Sequence, residues 1–117
     1  MSYQFYLALH FLGIILFFAS FGGMAVSALL PQKNEKLKKQ LAMTHGLGLL
    51  IMLIAGFGLL VKTGYGFPGW VIVKIIIWVI FGASVVILKR SSLNNIAWNL
   101  MLLLGFAAVY LAVFKPF

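Results

Sequence analysis

Four apolar stretches, each about as long as a bilayer core is thick, take up most of this chain and leave it almost no choice of environment. They run from Tyr3 to Leu30, Leu41 to Val61, Trp70 to Leu88 and Ile96 to Phe114. Each meets the ~20 residues that a helix needs to cross ~30 Å of hydrocarbon. With 64% hydrophobic residues and a mean hydropathy of +1.14 over 117 residues, the chain has no means of making a soluble surface. Lipid offers backbone groups no hydrogen bonds, so each span must close its own ladder, and no alternation of period two favours a barrel. The expected fold is all-α: an integral membrane four-helix bundle with up-down topology, one domain over residues 1–117 with no linker. The first span reads as a retained helix, because no Lys or Arg precedes it and its apolar run exceeds a signal-peptide core.

The basic residues orient these spans. The first connection, Pro31 to Gln40, holds Lys33, Lys36, Lys38 and Lys39 against the sole acid of the chain, Glu35; the third holds Lys89 and Arg90. The positive-inside rule makes that side cytoplasmic. Both termini then face the outer, periplasmic or exoplasmic side with Lys62 and Lys115. The net charge of +8 also suits anionic lipid or nucleic acid, but topology accounts for most of it, and no nucleic-acid partner is expected. Asn34 is placed to cap an extension of the second helix through Glu35–Gln40.

Ionisable groups inside a span are costly and usually serve a purpose. At about 1.5 Å per residue, His10 lies roughly 10 Å in from the outer side and Lys74 roughly 6 to 9 Å in, so the two are level. His45 enters from the cytoplasmic side, about 6 Å past Leu41, so one chain does not readily place both histidines on one iron. Residues His10, Gly13, Phe17, Ser20, Met24 and Ser27 recur at helical spacing, as do His45, Gly48, Met52 and Gly56. Both stripes should face protein, with glycines letting a backbone or a flat ligand come close. The matching faces are Lys74, Trp78, Phe81 and Val85 in the third span, and Asn95, Asn99, Leu102 and Phe106 in the fourth. Each residue also has a plainer role. His10 can hydrogen-bond between helices, His45 can be a wet structural histidine near the interface, and Lys74 can snorkel outward beside Trp70 and Tyr65.

What the chain lacks narrows the chemistry. Without cysteine there is no thiolate site and no covalent haem attachment. One loop carboxylate rules out paired-carboxylate hydrolysis, a Ser-His-Asp triad and calcium or di-iron sites, and no P-loop or Rossmann motif occurs. Imidazole, amine, thioether, amide and aromatic groups remain. Neutral imidazole is a common axial ligand of haem and cations suit its propionates, so non-covalent haem b (iron protoporphyrin IX) is the natural cofactor. Candidate cofactor-binding residues are His10, His45, Lys74, Gly13, Trp78 and Gly48, with His10 and His45 as iron ligands.

Leu9-His10 in the first span, Gly69-Trp70 with Lys74 four residues on, and the terminal Lys115-Pro116-Phe117 resemble the HemJ-type protoporphyrinogen oxidases. The similarity is thin over most of the chain, and CopD-like and SirB-like four-span membrane proteins share parts of the pattern. The resemblance implies a multi-pass protein of a bacterial inner (plasma) membrane that holds haem b, with His10 at the haem and Lys74 as a functional, catalytic residue. It departs from that family in the uncharged run Gly22 to Pro31 and in having His45 where the family's second helix carries a proline.

Three function classes follow. The first is a haem-b redox protein, an electron carrier or sensor working with a membrane redox partner or quinone. The second is an oxidase converting protoporphyrinogen IX to protoporphyrin IX. The third is a non-haem protein, a scaffold or a CopD-like copper handler using His10, Met24 and Met43. A homodimer or higher oligomer is expected, because twofold symmetry would pair two His10 residues, or two His45 residues, across one haem.

Overall fold

A computed structural model of the chain describes residues 2–30, 34–64, 66–88 and 94–115. These form four α-helices, α1 Tyr3–Leu29, α2 Glu35–Thr63, α3 Gly69–Leu88 and α4 Asn94–Phe114, each long and apolar enough to cross a membrane. Lys33, Lys89, Arg90 and Tyr65, which entered the orientation and anchoring arguments, lie outside the described residues, as do Pro31, Pro116 and Phe117. The chain divides into two compact units, Met1–Tyr65 with α1 and α2, and Gly66–Phe117 with α3 and α4.

Helix ends follow local chemistry. The Ser2 side chain accepts a hydrogen bond from the Phe5 amide at 3.2 Å and starts α1. Leu30, the residue before Pro31, is extended (φ −83°, ψ 141°), as steric conflict with a proline ring demands. The side-chain Oδ1 of Asn34 accepts from the Leu37 amide at 3.1 Å, so α2 begins where the capping signal in the sequence put it and not at the apolar boundary Leu41. Gly64, at φ 69°, ends α2 in the left-handed conformation, its amide donating to the Leu60 carbonyl at 2.9 Å. Asn34→Ala is expected to cost about 1 kcal/mol and to speed hydrogen exchange of the first-turn amides of α2, Leu37 foremost. Unchanged exchange at Leu37 would show that the cap contributes nothing.

In the first unit, α1 and α2 run antiparallel. Tyr6 packs on Gly58, His10 on Gly56, Gly13 on Gly48 and Met52, and Gly23 on Leu41. The buried series Gly13, Phe17, Ser20, Phe21 and Ala25 of α1 meets His45, Gly48, Leu49, Met52 and Ala55 of α2. Lipid is as apolar as leucine, so helices in a bilayer gain little from hiding apolar surface and associate where small residues allow close van der Waals contact. The exposed Phe11, Ile15, Leu50 and Ile54 are suited to lipid. Buried Ser20 donates to the carbonyls of Leu16 (2.7 Å) and Phe17 (2.9 Å) in its own helix.

The second unit is likewise an antiparallel pair. The Lys115 ammonium, at the end of α4, stands 5.7 Å from the centre of the Trp70 ring at the start of α3. Buried positions of α3 are Trp70, Val71, Ile77, Phe81, Ser84 and Leu88, and those of α4 include Ala97, Met101 and Leu111. The α4 face expected from the sequence is therefore corrected: Leu102 and Phe106 are 51% and 70% exposed, and Asn99 donates to the Asn95 carbonyl of its own helix at 3.1 Å. An asparagine satisfied within its own helix no longer has to face a partner.

Candidate functional site

The polar residues of the first unit fall on the seam between α1 and α2. Nδ1 of His10 lies 2.9 Å from the Met52 carbonyl oxygen. A carbonyl only accepts, so Nδ1 carries the proton and donates, and in the neutral ring Nε2 holds the lone pair. The ring is half-buried and lies over Gly56, where an added methyl would stand 3.4 Å from Cε1 of His10 and 3.6 Å from Nδ1. A methyl there would make ordinary van der Waals contact with the imidazole, so the ring lies beside the α2 backbone with space for no more than a small side chain. One turn earlier in α1, Tyr6 packs more closely against Gly58, where a methyl would overlap the ring. That contact was not anticipated, although glycines two residues apart in α2 could have signalled two incoming rings.

His45 has different surroundings. It is 4% exposed, so it is not a water-facing histidine, and its ring centre lies 4.9 Å from that of Phe17, which is wholly buried. Phe17 also stacks on Phe21 at 6.0 Å with 13° between the planes. Phe17 is seven residues from His10 in α1, and His45 is seven from Met52 in α2. Each interval is about 10 Å along a helix, so the two histidines occupy separate levels of the seam.

Gly13 and Gly48, expected as close-approach residues for backbone or ligand, lie at the helix crossing itself. A methyl on Gly13 would stand 2.6 Å from the Met52 nitrogen and 2.8 Å from the Gly48 oxygen. One on Gly48 would stand 2.8 Å from the Phe17 nitrogen and 2.9 Å from the Gly13 oxygen. Backbone fills the space that a flat ligand would need, so these two glycines serve helix packing.

Lys74 and Trp78 belong to the second unit. Lys74 continues the series Trp70, Ile77, Phe81, Ser84 and Leu88 at helical spacing and is its half-buried member, whereas Trp78, also half-buried, lies on the neighbouring stripe. Lys115, at the end of α4, belongs to the same unit as Lys74. Lys115 also donates through Nζ to the Ala112 carbonyl at 2.9 Å and has φ 46°. The three residues considered for copper do not gather. His10 and Met24 are fourteen residues apart on one helix, about 21 Å, and Met43 is 66% exposed. Among the described residues no three His, Cys, Asp or Glu side chains form a group able to hold a bare metal ion.

A porphyrin brings four nitrogens of its own and asks the protein for only one or two ligands. The donor set fits that demand: one imidazole with its Nδ1–H anchored on a carbonyl, the arrangement that orients metal-bound histidines. Comparison with protein-family models, curated proteins and solved structures gave no match to this chain.

Proposed function

We propose that this chain is a haem-b-binding membrane protein of redox function, with His10 as the axial ligand through Nε2. The observation that carries this reading is the hydrogen bond from His10 Nδ1 to the Met52 carbonyl, which selects the tautomer and fixes the ring, as outer partners of ligating histidines do. Bound haem would supply one-electron chemistry. The chain's own part is to hold the imidazole in one orientation through the Met52 carbonyl and to seat it against Gly56. Lys74 enters as a cation for a propionate or as an amine ligand, on its depth in the sequence and on the HemJ resemblance. The proposed topology is up-down, with Lys36, Lys38 and Lys39 cytoplasmic and both termini outside, in a bacterial inner membrane. Dimerisation that pairs two His10 residues would give the iron two imidazoles.

The test is the absorption spectrum of protein purified in mild detergent, oxidised and then reduced with dithionite. A Soret band with a sharp reduced α band is expected, whereas a colourless protein that also refuses added haemin would sink the proposal. Lys74→Met tells the two roles of the lysine apart. Loss of porphyrinogen oxidation in that variant, with the spectrum kept, would favour the oxidase reading, and a changed spectrum would make Lys74 a ligand.

A further inference from the structure

The 29 residues of α2 span about 43 Å, which exceeds a ~30 Å hydrocarbon core by about 13 Å. The excess lies mainly at its start, where Lys36, Lys38, Lys39 and Gln40 are all exposed. Three lysines so placed stand at the level of lipid headgroups. Their directions differ, however. Successive residues turn by about 100°, which puts Lys36, Lys39 and Gln40 on one stripe with Met43, Leu47 and Leu50. Lys38 turns to the opposite side, in line with His45 and the face packed on α1.

The first stripe carries a shallow, open depression. Lys36, Lys39, Gln40, Met43, Leu47 and Leu50 line a shallow groove together with Gly46. Met43, Leu47 and Leu50 are 66%, 52% and 53% exposed. Gly46 has a different use from Gly13 and Gly48, because a methyl placed on it would meet nothing within 4 Å. Helix packing therefore does not require this glycine, and its missing side chain deepens the groove midway along the apolar run. Cationic heads at one end and an open apolar trough at the other match an amphiphile with an anionic head.

We infer that this face of α2 is a binding site for one anionic phospholipid. The phosphate sits between the Lys36 and Lys39 ammonium groups, within reach of the Gln40 amide, and an acyl chain lies along Met43, Gly46 and Leu47 towards Leu50. Glu35, one turn before Lys39, offsets part of the positive charge, so selectivity arises from two aimed cations rather than from the total charge of the segment. The site is independent of the haem reading, since it uses the side of α2 turned away from His10.

The test is native mass spectrometry of the delipidated full chain with dioleoyl phosphatidylglycerol and, separately, dioleoyl phosphatidylcholine. One phosphatidylglycerol is expected to be retained in preference to phosphatidylcholine. Lys36→Gln and Lys39→Gln should each weaken retention roughly fivefold, and Lys38→Gln clearly less. Gly46→Leu, which fills the groove without touching a charge, should weaken it as well. Equal losses from all three lysine variants would reduce the effect to diffuse surface charge and overturn the site. Equal retention of phosphatidylcholine would overturn the headgroup assignment. Binding of glycerol 3-phosphate as tight as that of the lipid, or a Gly46→Leu protein indistinguishable from the parent, would overturn the acyl trough.

Discussion

Replacing His10 with alanine is expected to abolish the b-type spectrum, while His45→Ala leaves it in place. Both residues are imidazoles on the same seam, so composition does not separate them; their surroundings do. His10 is half-buried, and its Nδ1–H is tied to the Met52 carbonyl at 2.9 Å, which leaves the lone pair on Nε2. His45 is 4% exposed and packed at 4.9 Å on the wholly buried Phe17, so an iron could reach it only if the packing around it opened. Imidazole added to a His10→Gly protein should restore the Soret band, because an exogenous ligand replaces a lost one, whereas it would not mend a lost packing contact. Gly56→Val should act through orientation. It pushes the ring off Met52 and should lower haem affinity by about 10- to 100-fold, the usual cost of disturbing an outer partner of a ligating histidine. If His45→Ala bleaches the protein and His10→Ala does not, the ligand assignment is reversed.

Much of this arrangement was legible in the sequence because bilayer physics reads out in length and spacing. All four helices lie where the apolar stretches place them, and the early start of α2 was visible in Asn34. The protein-facing stripes of α1 and α2 followed from small and polar residues at steps of three and four, since close helix packing in lipid requires them. The α4 face was misread because Asn95 and Asn99 look like inward-facing polar residues, while Asn99 is satisfied by the Asn95 carbonyl. The role of Gly13 and Gly48 stayed open for a physical reason: a missing Cβ serves backbone and flat ligand alike, and only the 2.6 to 2.9 Å approaches decide between them. The partner of His10 was hidden because a helix carbonyl leaves no mark in residue identity.

That crossing carries the second large effect expected. A Cβ added at Gly13 or Gly48 meets backbone atoms, Met52 nitrogen and Gly48 oxygen in one case, Phe17 nitrogen and Gly13 oxygen in the other. Backbone cannot swing aside as a side chain can, so the helices must part along the whole seam. Gly13→Ala and Gly48→Ala should each cost about 1 to 3 kcal/mol, read as a lower unfolding midpoint in denaturing detergent, with Gly46→Ala, where a methyl meets nothing, as the delipidated control that loses no stability. The double variant should lose less than the two single losses added together, because the separation forced by the first methyl already makes room for the second. Met52 supplies both the nitrogen that Gly13 approaches and the carbonyl that holds His10, so parting the helices also lengthens the His10 hydrogen bond. Both single variants should therefore weaken haem retention along with stability, although neither touches the imidazole. A Gly13→Ala protein as stable as Gly46→Ala would refute the tight crossing, and one that is destabilised but keeps full haem affinity would refute its coupling to His10.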